Sequence, residues 1–381
     1  MAKQQNEVAA LDEDQTYRER YMRWKRAWRS PYELWKTSEG LPTLRGLSVN
    51  VNEVELTPWA SRGGSGVFVN LDGTGGFNDG YVCEIPPGGS LNPVRHIYDE
   101  TIFIVSGRGA TSVWVDGKPK QTFEWGERSL FAIPPNAWFQ MHNGLGTESS
   151  RYFAITSAPR IIDSLKDLDF IFDNPWVFSS RFNGEPGYFQ QADAAESGRM
   201  WRTNFIADVI SATTIASSAD RRTGLRGIGT TGAHFEMVNA TVKSHTSSWP
   251  VGTYKGAHRH GPGIHVTILL GEGYTLMWKD GEPVQRVDWK PGTVLVPPEM
   301  WFHQHFNTAA EPTMFLAIGW GSDKAKTDGT AWGAGGSVNE GGDTIEYELE
   351  DPRLHLEYHE ALAKSGVTCQ MGPFHPHCTE R

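Results

Sequence analysis

The chain has little cysteine. Cys83, Cys369 and Cys378 are its three in 381 residues, too few and too scattered for a disulfide framework, and no Cys-x-x-Cys pair marks a zinc or redox motif. A reducing compartment is the simpler reading. No apolar run approaches the roughly 20 residues that span a bilayer, which excludes a transmembrane helix and a membrane partner. The opening MAKQQNEVAALDEDQ lacks the basic start and apolar core of a secretory signal. A cytoplasmic protein is expected. Long basic clusters are missing too, and a formal net charge of -10 argues against nucleic acid as the main partner.

Aromatics and glycine, by contrast, are plentiful, with 15 tryptophans and 42 glycines. Such residues alternating with turn signals fit short strands closing into aromatic-lined barrels. Residues 14 to 37 read as helical, because Tyr17, Tyr21, Trp24 and Trp28 recur at spacings of four, three and four and form one stripe. A stripe of this kind is a packing face, buried against the chain's own core or a neighbouring copy, and it points to a homo-oligomer. From about residue 62 the text changes to short β-branched and aromatic runs between Gly, Asp and Asn clusters. That pattern returns after residue 235.

The two stretches are copies. Gly107-x-Gly109-x-Thr111-x-x-Trp114-x-Asp116-Gly117 matches Gly271-x-Gly273-x-Thr275-x-x-Trp278-x-Asp280-Gly281 at an offset of 164 residues, and Gln121 and Trp125 match Gln285 and Trp289 at the same offset. Pro134-Pro135-x-x-Trp138-Phe139 then matches Pro297-Pro298-x-x-Trp301-Phe302 after a slip of one. The expected architecture is all-β: an N-terminal helical arm with lead-in strands over 1–61, one barrel over 62–165, a joining segment over 166–235, a second barrel over 236–325 and a C-terminal extension over 326–381.

Five of the thirteen histidines fall in two short segments, Ala257-His258-Arg259-His260-Gly261-Pro262-Gly263-Ile264-His265 and Trp301-Phe302-His303-Gln304-His305. Histidines one residue apart share a strand face, and a third from a distant strand completes a metal site. His258, His260 and His303 are the candidate ligands. His305 shares the face of His303 and is a candidate further ligand or proton carrier, with His265 a weaker one. Three neutral imidazoles suit a divalent first-row metal: Fe(II), Mn(II), Ni(II), Cu(II) or Zn(II). The C-terminal His375-Pro376-His377-Cys378 is also ligand-like, but its place beside two prolines favours packing over a neighbour.

The His-x-His pair, the strand ending in Gly-x-Gly, the Asp-Gly hairpin and the Pro-Pro strand with a further histidine resemble the two motifs of the cupin superfamily. Two copies resemble a bicupin, with two tandem jelly-roll barrels. The resemblance implies metal ligands at His258, His260 and His303, and places Ile264 where the family often has a glutamate ligand. In the first copy Val94 stands opposite His258, His96 opposite His260, Glu100 opposite Ile264, and Phe139 or Gln140 opposite His303. Valine and phenylalanine bind no metal, so the first barrel is expected to be metal-free. Trp301 to Asn307 is similar to the second motif of gentisate dioxygenase and related three-histidine enzymes. The implied function is an Fe(II)-dependent dioxygenase, an oxidoreductase whose partners are dioxygen and a small aromatic or conjugated acid walled by Trp278, Trp301 and Phe302. A redox-neutral lyase, decarboxylase, hydratase or isomerase is the alternative, and a non-enzymatic small-ligand binder the second.

Overall fold

The computed structural model describes residues 17–192, 199–217, 229–319 and 336–378. The expected helix at 14–37 is two helices, Tyr17–Ala27 and Pro31–Ser38, because Pro31 cannot continue the first and instead opens the second, with Ser30 accepting from Glu33 N as its cap. Residues 14–16 lie outside the described residues. The second helix buries Tyr32 and Lys36, and Tyr32 OH donates to Asp79 Oδ2 at 2.7 Å. The aromatic stripe of the first does not pack on the chain's own core: Tyr17, Tyr21, Trp24 and Trp28 are exposed.

Each copy of the repeat folds as a large sheet facing a three-stranded one. In the first unit the small sheet runs Trp138–Asn143, Arg108–Trp114, Gln121–Gly126, and in the second Phe302–Asn307, Gly273–Trp278, Gln285–Trp289. The duplicated residues explain why. Trp125 Nε1 donates to Thr111 Oγ1 at 2.9 Å, and Trp289 Nε1 to Thr275 Oγ1 at 3.0 Å, tying two strands of each small sheet together. A Cβ on Gly109 would lie 2.0 Å from His142 O, and one on Gly273 would lie 2.0 Å from Phe306 O. Only glycine permits that approach.

The large sheets pack against each other through a shared core that includes Val69, Phe103 and Phe153 from one unit and Val294, Leu316 and Ile318 from the other. Edge strands cross between the units. Ser48–Asn50, from the lead-in, pairs with Thr293–Leu295 of the second unit, whereas Phe205–Ile206, from the joining segment, pairs with Leu130–Ile133 of the first. These exchanges cover edges that would otherwise offer unpaired backbone groups. The remainder of the joining segment includes the helices Leu168–Phe172 and Val209–Ser217; its residues 193–198 and 218–228 lie outside the described residues. Of the described residues after 336, Tyr347, Tyr358 and Leu362 pack on Tyr274 and Phe306 at the outer face of the second unit's small sheet. Among the described residues no helix is long and apolar enough to cross a membrane.

Candidate metal centre

The segment carrying His258 runs beside the strand Phe302–Asn307. His258 N donates to His303 O at 3.1 Å and His303 N to His258 O at 2.8 Å, while Met300 N donates to His260 O at 3.0 Å. Backbone pairing thus fixes all three histidines before any side chain is considered. Their ligand nitrogens lie within 4.8 Å of one another. His258 and His303 are buried and His260 is half-buried.

Each ring is also held in one tautomer. His258 Nδ1 lies 3.3 Å from Gly256 O, His260 Nδ1 2.7 Å from Gly261 O, and His303 Nδ1 3.3 Å from Trp301 O. A carbonyl only accepts, so each Nδ1 carries the proton and each Nε2 keeps its lone pair. Three such nitrogens converging on one point fit a divalent metal ion. Ile264, where a carboxylate ligand would stand, is buried in the barrel core with Val266 and Ile268.

Strand parity sorts the other candidates. His265 points away from the three histidines, because Ile264, Val266 and Ile268 fill the barrel interior and the residues between them face the first unit. Its Nδ1 is 3.4 Å from Asn78 Nδ2 and its ring 6.1 Å from that of Phe153. Burial lowers its pKa to about 4. His305 does face inward, with its ring 5.6 Å from that of His303, but it lies outside the convergent cluster and its Nδ1 is engaged 2.7 Å from Thr275 Oγ1. Burial, with Lys255 and His260 nearby, holds its pKa well below the usual range. Trp278 and Phe302 stack on each other at 5.8 Å, and Trp278 packs toward the C-terminal extension instead of the barrel interior. Trp301 packs on the interior core.

Sequence reasoning missed Lys255. It is buried in the second barrel, its Nζ donating to Ser247 Oγ at 2.8 Å and lying 4.6 Å from the Phe315 ring centre and 5.1 Å from that of Trp249. A lysine three residues before the histidine pair is the only sequence trace of it.

The first barrel repeats the backbone without the ligands. Val94 N donates to Phe139 O at 3.0 Å and Phe139 N to Val94 O at 2.8 Å, so Phe139, and not Gln140, stands opposite His303. The backbone keeps the 164-residue offset through this stretch, Asn136 N donating to His96 O as Met300 N does to His260 O, with left-handed φ of 56° and 59°, so the fold does not follow the one-residue slip of the Pro-Pro and Trp-Phe pairs. His96 is held by Nδ1 on Tyr98 O at 3.0 Å, as its counterpart is on Gly261 O, but its Nε2 meets Glu100 Oε2 at 2.7 Å. Glu100 also accepts from Tyr81 OH and lies 3.8 Å from Arg62 Nη2. Burial alone would raise the Glu100 pKa, but the hydrogen bond and charge of His96, with Arg62 and Tyr81, outweigh it and lower the value. A cavity of about 150 Å³, lined by Arg62, Tyr81, Arg95, His96 and Tyr98 among others, lies here.

A family model described as a cupin domain matches residues 81–156, the heart of the first barrel. The first unit thus carries a cupin domain, and with a second unit built in the same register the fold is two tandem cupin-like units. No curated protein matches it. Among solved structures it is similar to a deletion mutant of Bacillus subtilis oxalate decarboxylase, with 13% identity, a TM-score of 0.47, and 72% of this chain and 77% of that one covered. It is also similar to the Lactobacillus farciminis oxalate decarboxylase formate complex, with 12% identity, a TM-score of 0.47, and 72% and 85% covered. A third, at 13% identity and a TM-score of 0.46 with 72% and 77% covered, is B. subtilis oxalate decarboxylase studied for its Mn(II) centres.

These neighbours are oxalate decarboxylases, and that finding corrects the expectation of an Fe(II)-dependent dioxygenase. The likeness to gentisate dioxygenase finds no support among them. Nor do they support an oxidoreductase, or iron as the favoured metal.

Proposed function

We propose that the second barrel is a metal-dependent, redox-neutral enzyme centre of the lyase, decarboxylase, hydratase or isomerase kind, acting on a small carboxylate. The observation that carries this reading is the set of inward Nε2 atoms of His258, His260 and His303, with Ile264 in place of a carboxylate. A divalent cation held there supplies Lewis acidity. Because all three donors are neutral, the protein leaves its charge uncompensated, which favours an anionic partner.

Lys255 strengthens that preference. Its ammonium sits in the same barrel against Trp249 and Phe315, in a low-dielectric setting where a fixed positive charge attracts a carboxylate far more than it would in water. Since Trp289 Nε1 donates to Thr275 Oγ1, the threonine hydroxyl is free to donate to His305 Nδ1, which leaves the His305 Nε2–H as a donor to a substrate oxygen. Ile264 and Trp301 supply the apolar lining that limits water.

The test is turnover without oxygen. Full-length protein loaded separately with Mn(II), Co(II) or Zn(II) is incubated anaerobically with small mono- and dicarboxylates, and products are followed by NMR. Turnover that requires metal and proceeds under argon is expected. A strict need for dioxygen, or equal turnover by metal-free protein, overturns the proposal.

A further inference from the structure

A second group of metal-binding side chains lies outside both barrels. His355 and His359 stand one turn apart on the helix Pro352–Ser365, so both rings leave the same helical face. Gly366 ends that helix in a left-handed conformation, and Cys369 follows three residues later. The chain then turns twice, Phe374 N and His375 N both donating to Met371 O at 2.9 Å and Cys378 N to His375 O at 3.1 Å. Those turns return Cys378 to Cys369.

The four side chains meet at a point. Their ligand atoms all lie within 4.8 Å of one another. Cys369 Sγ and Cys378 Sγ are 3.8 Å apart, Cys378 Sγ and His359 Nε2 3.8 Å, and His359 Nε2 and His355 Nε2 3.0 Å. A disulfide would bring the sulfurs to about 2.05 Å. Two thiolates at about 2.3 Å from a tetrahedral zinc ion stand about 3.8 Å apart, and two imidazole nitrogens about 3.3 Å. His355, Cys369 and Cys378 are buried and His359 is half-buried.

The hydrogen bonds behind His355 prepare it as a ligand. Tyr254 OH donates to Glu350 Oε1 at 2.7 Å, so the contact of 3.1 Å between the same hydroxyl and His355 Nδ1 needs the proton on the imidazole. The Nε2 lone pair is thereby turned toward His359 and the sulfurs. Such outer partners fix the orientation of a ligating histidine and raise its basicity. His375 plays a supporting part. Its Nδ1 accepts from His377 N at 3.2 Å, its Nε2 is 3.3 Å from Glu350 Oε1, and its ring stacks on His355 at 4.1 Å.

We propose that His355 Nε2, His359 Nε2, Cys369 Sγ and Cys378 Sγ bind a zinc ion in a closed, four-ligand structural site, separate from the three-histidine centre. Binding expels the two thiol protons and changes no oxidation state. The ion staples the C-terminal extension to the second barrel. It also steadies Glu350, which accepts from Gln304 Nε2 at 2.5 Å, and Gln304 lies between His303 and His305. The site does not depend on which reaction the barrel performs.

Full-length protein, purified without chelator and under reducing conditions, is assayed for metal by mass spectrometry. A zinc equivalent is expected that survives in His258→Ala and is lost in Cys369→Ser and in Cys378→Ser. As those serine variants can fail to fold, the wild-type protein supplies a second readout. Its cobalt-substituted form should show thiolate-to-cobalt charge-transfer absorption, which an all-nitrogen site cannot give, and mercurial modification of the cysteines should release the zinc. A wild type without zinc, a cobalt form without that absorption, or an intact mass showing a Cys369–Cys378 disulfide under anaerobic handling overturns the proposal.

Discussion

His258 and His303 exchange a pair of backbone hydrogen bonds, at 3.1 and 2.8 Å, that Val94 and Phe139 reproduce at 3.0 and 2.8 Å in the first barrel. The fold therefore closes in the same way with or without imidazoles. His258→Ala and His303→Ala should each weaken metal binding at the second barrel by more than the ~10–100-fold typical of an outer partner, while secondary structure by circular dichroism stays unchanged. Loss of folded protein in these variants, with metal affinity retained by the folded fraction, would contradict that separation of fold from ligation.

The duplication and the histidine pair were legible because they are local. Identical Gly-x-Gly and Trp-x-Asp-Gly runs announce the same hairpin twice, and a His-x-His spacing places two rings on one face wherever the strand lies. What opposes His303 was not legible, because the matching Pro-Pro and Trp-Phe pairs stand at an offset of 163 while the backbone keeps 164. The side taken by Trp278 was not legible either, since its neighbours on the small sheet face the C-terminal extension. Lys255 and the His355, His359, Cys369, Cys378 group are assembled by tertiary contacts. A lone lysine carries no motif, and although His355-x-x-x-His359 has a ligand-like spacing, the eight-residue gap between the cysteines does not announce that they meet it.

Lys255 gives a kinetic test of anion preference. Lys255→Met keeps the stem that packs on Trp249 and Phe315 and removes the charge. If the ammonium binds a substrate carboxylate equally in ground and transition states, KM should rise about 10- to 100-fold with kcat little changed. The reverse pattern, a fall in kcat at constant KM, would place Lys255 in the chemistry instead.

Glu100 should be among the costliest residues to alter in the first barrel. Its buried carboxylate answers His96, Tyr81 and Arg62. Glu100→Gln would leave Arg62 without its buried counter-charge, a change that costs about 3–5 kcal/mol where a buried pair is broken from one side. Chemical denaturation checks it. Replacing Glu100 by Ile, the residue at the equivalent position of the second barrel, should be no better, because Arg62 remains.

Folding stability should also carry a pH signature from His265. Burial between the two units lowers its pKa from 6.5 to about 4, so over that window the unfolded chain binds a proton that the folded chain refuses. Stability from this group is fully present above pH 6.5 and declines as pH falls toward 4, by up to about 3 kcal/mol. Urea midpoints for wild type and His265→Leu, measured at intervals from pH 7.5 to 4, separate this residue from the other titrating groups. The wild-type midpoint should fall more steeply below pH 6.5 than that of the variant, which keeps the apolar volume between Phe153 and the strand but has nothing to protonate; parallel curves would show that His265 is not the group responsible.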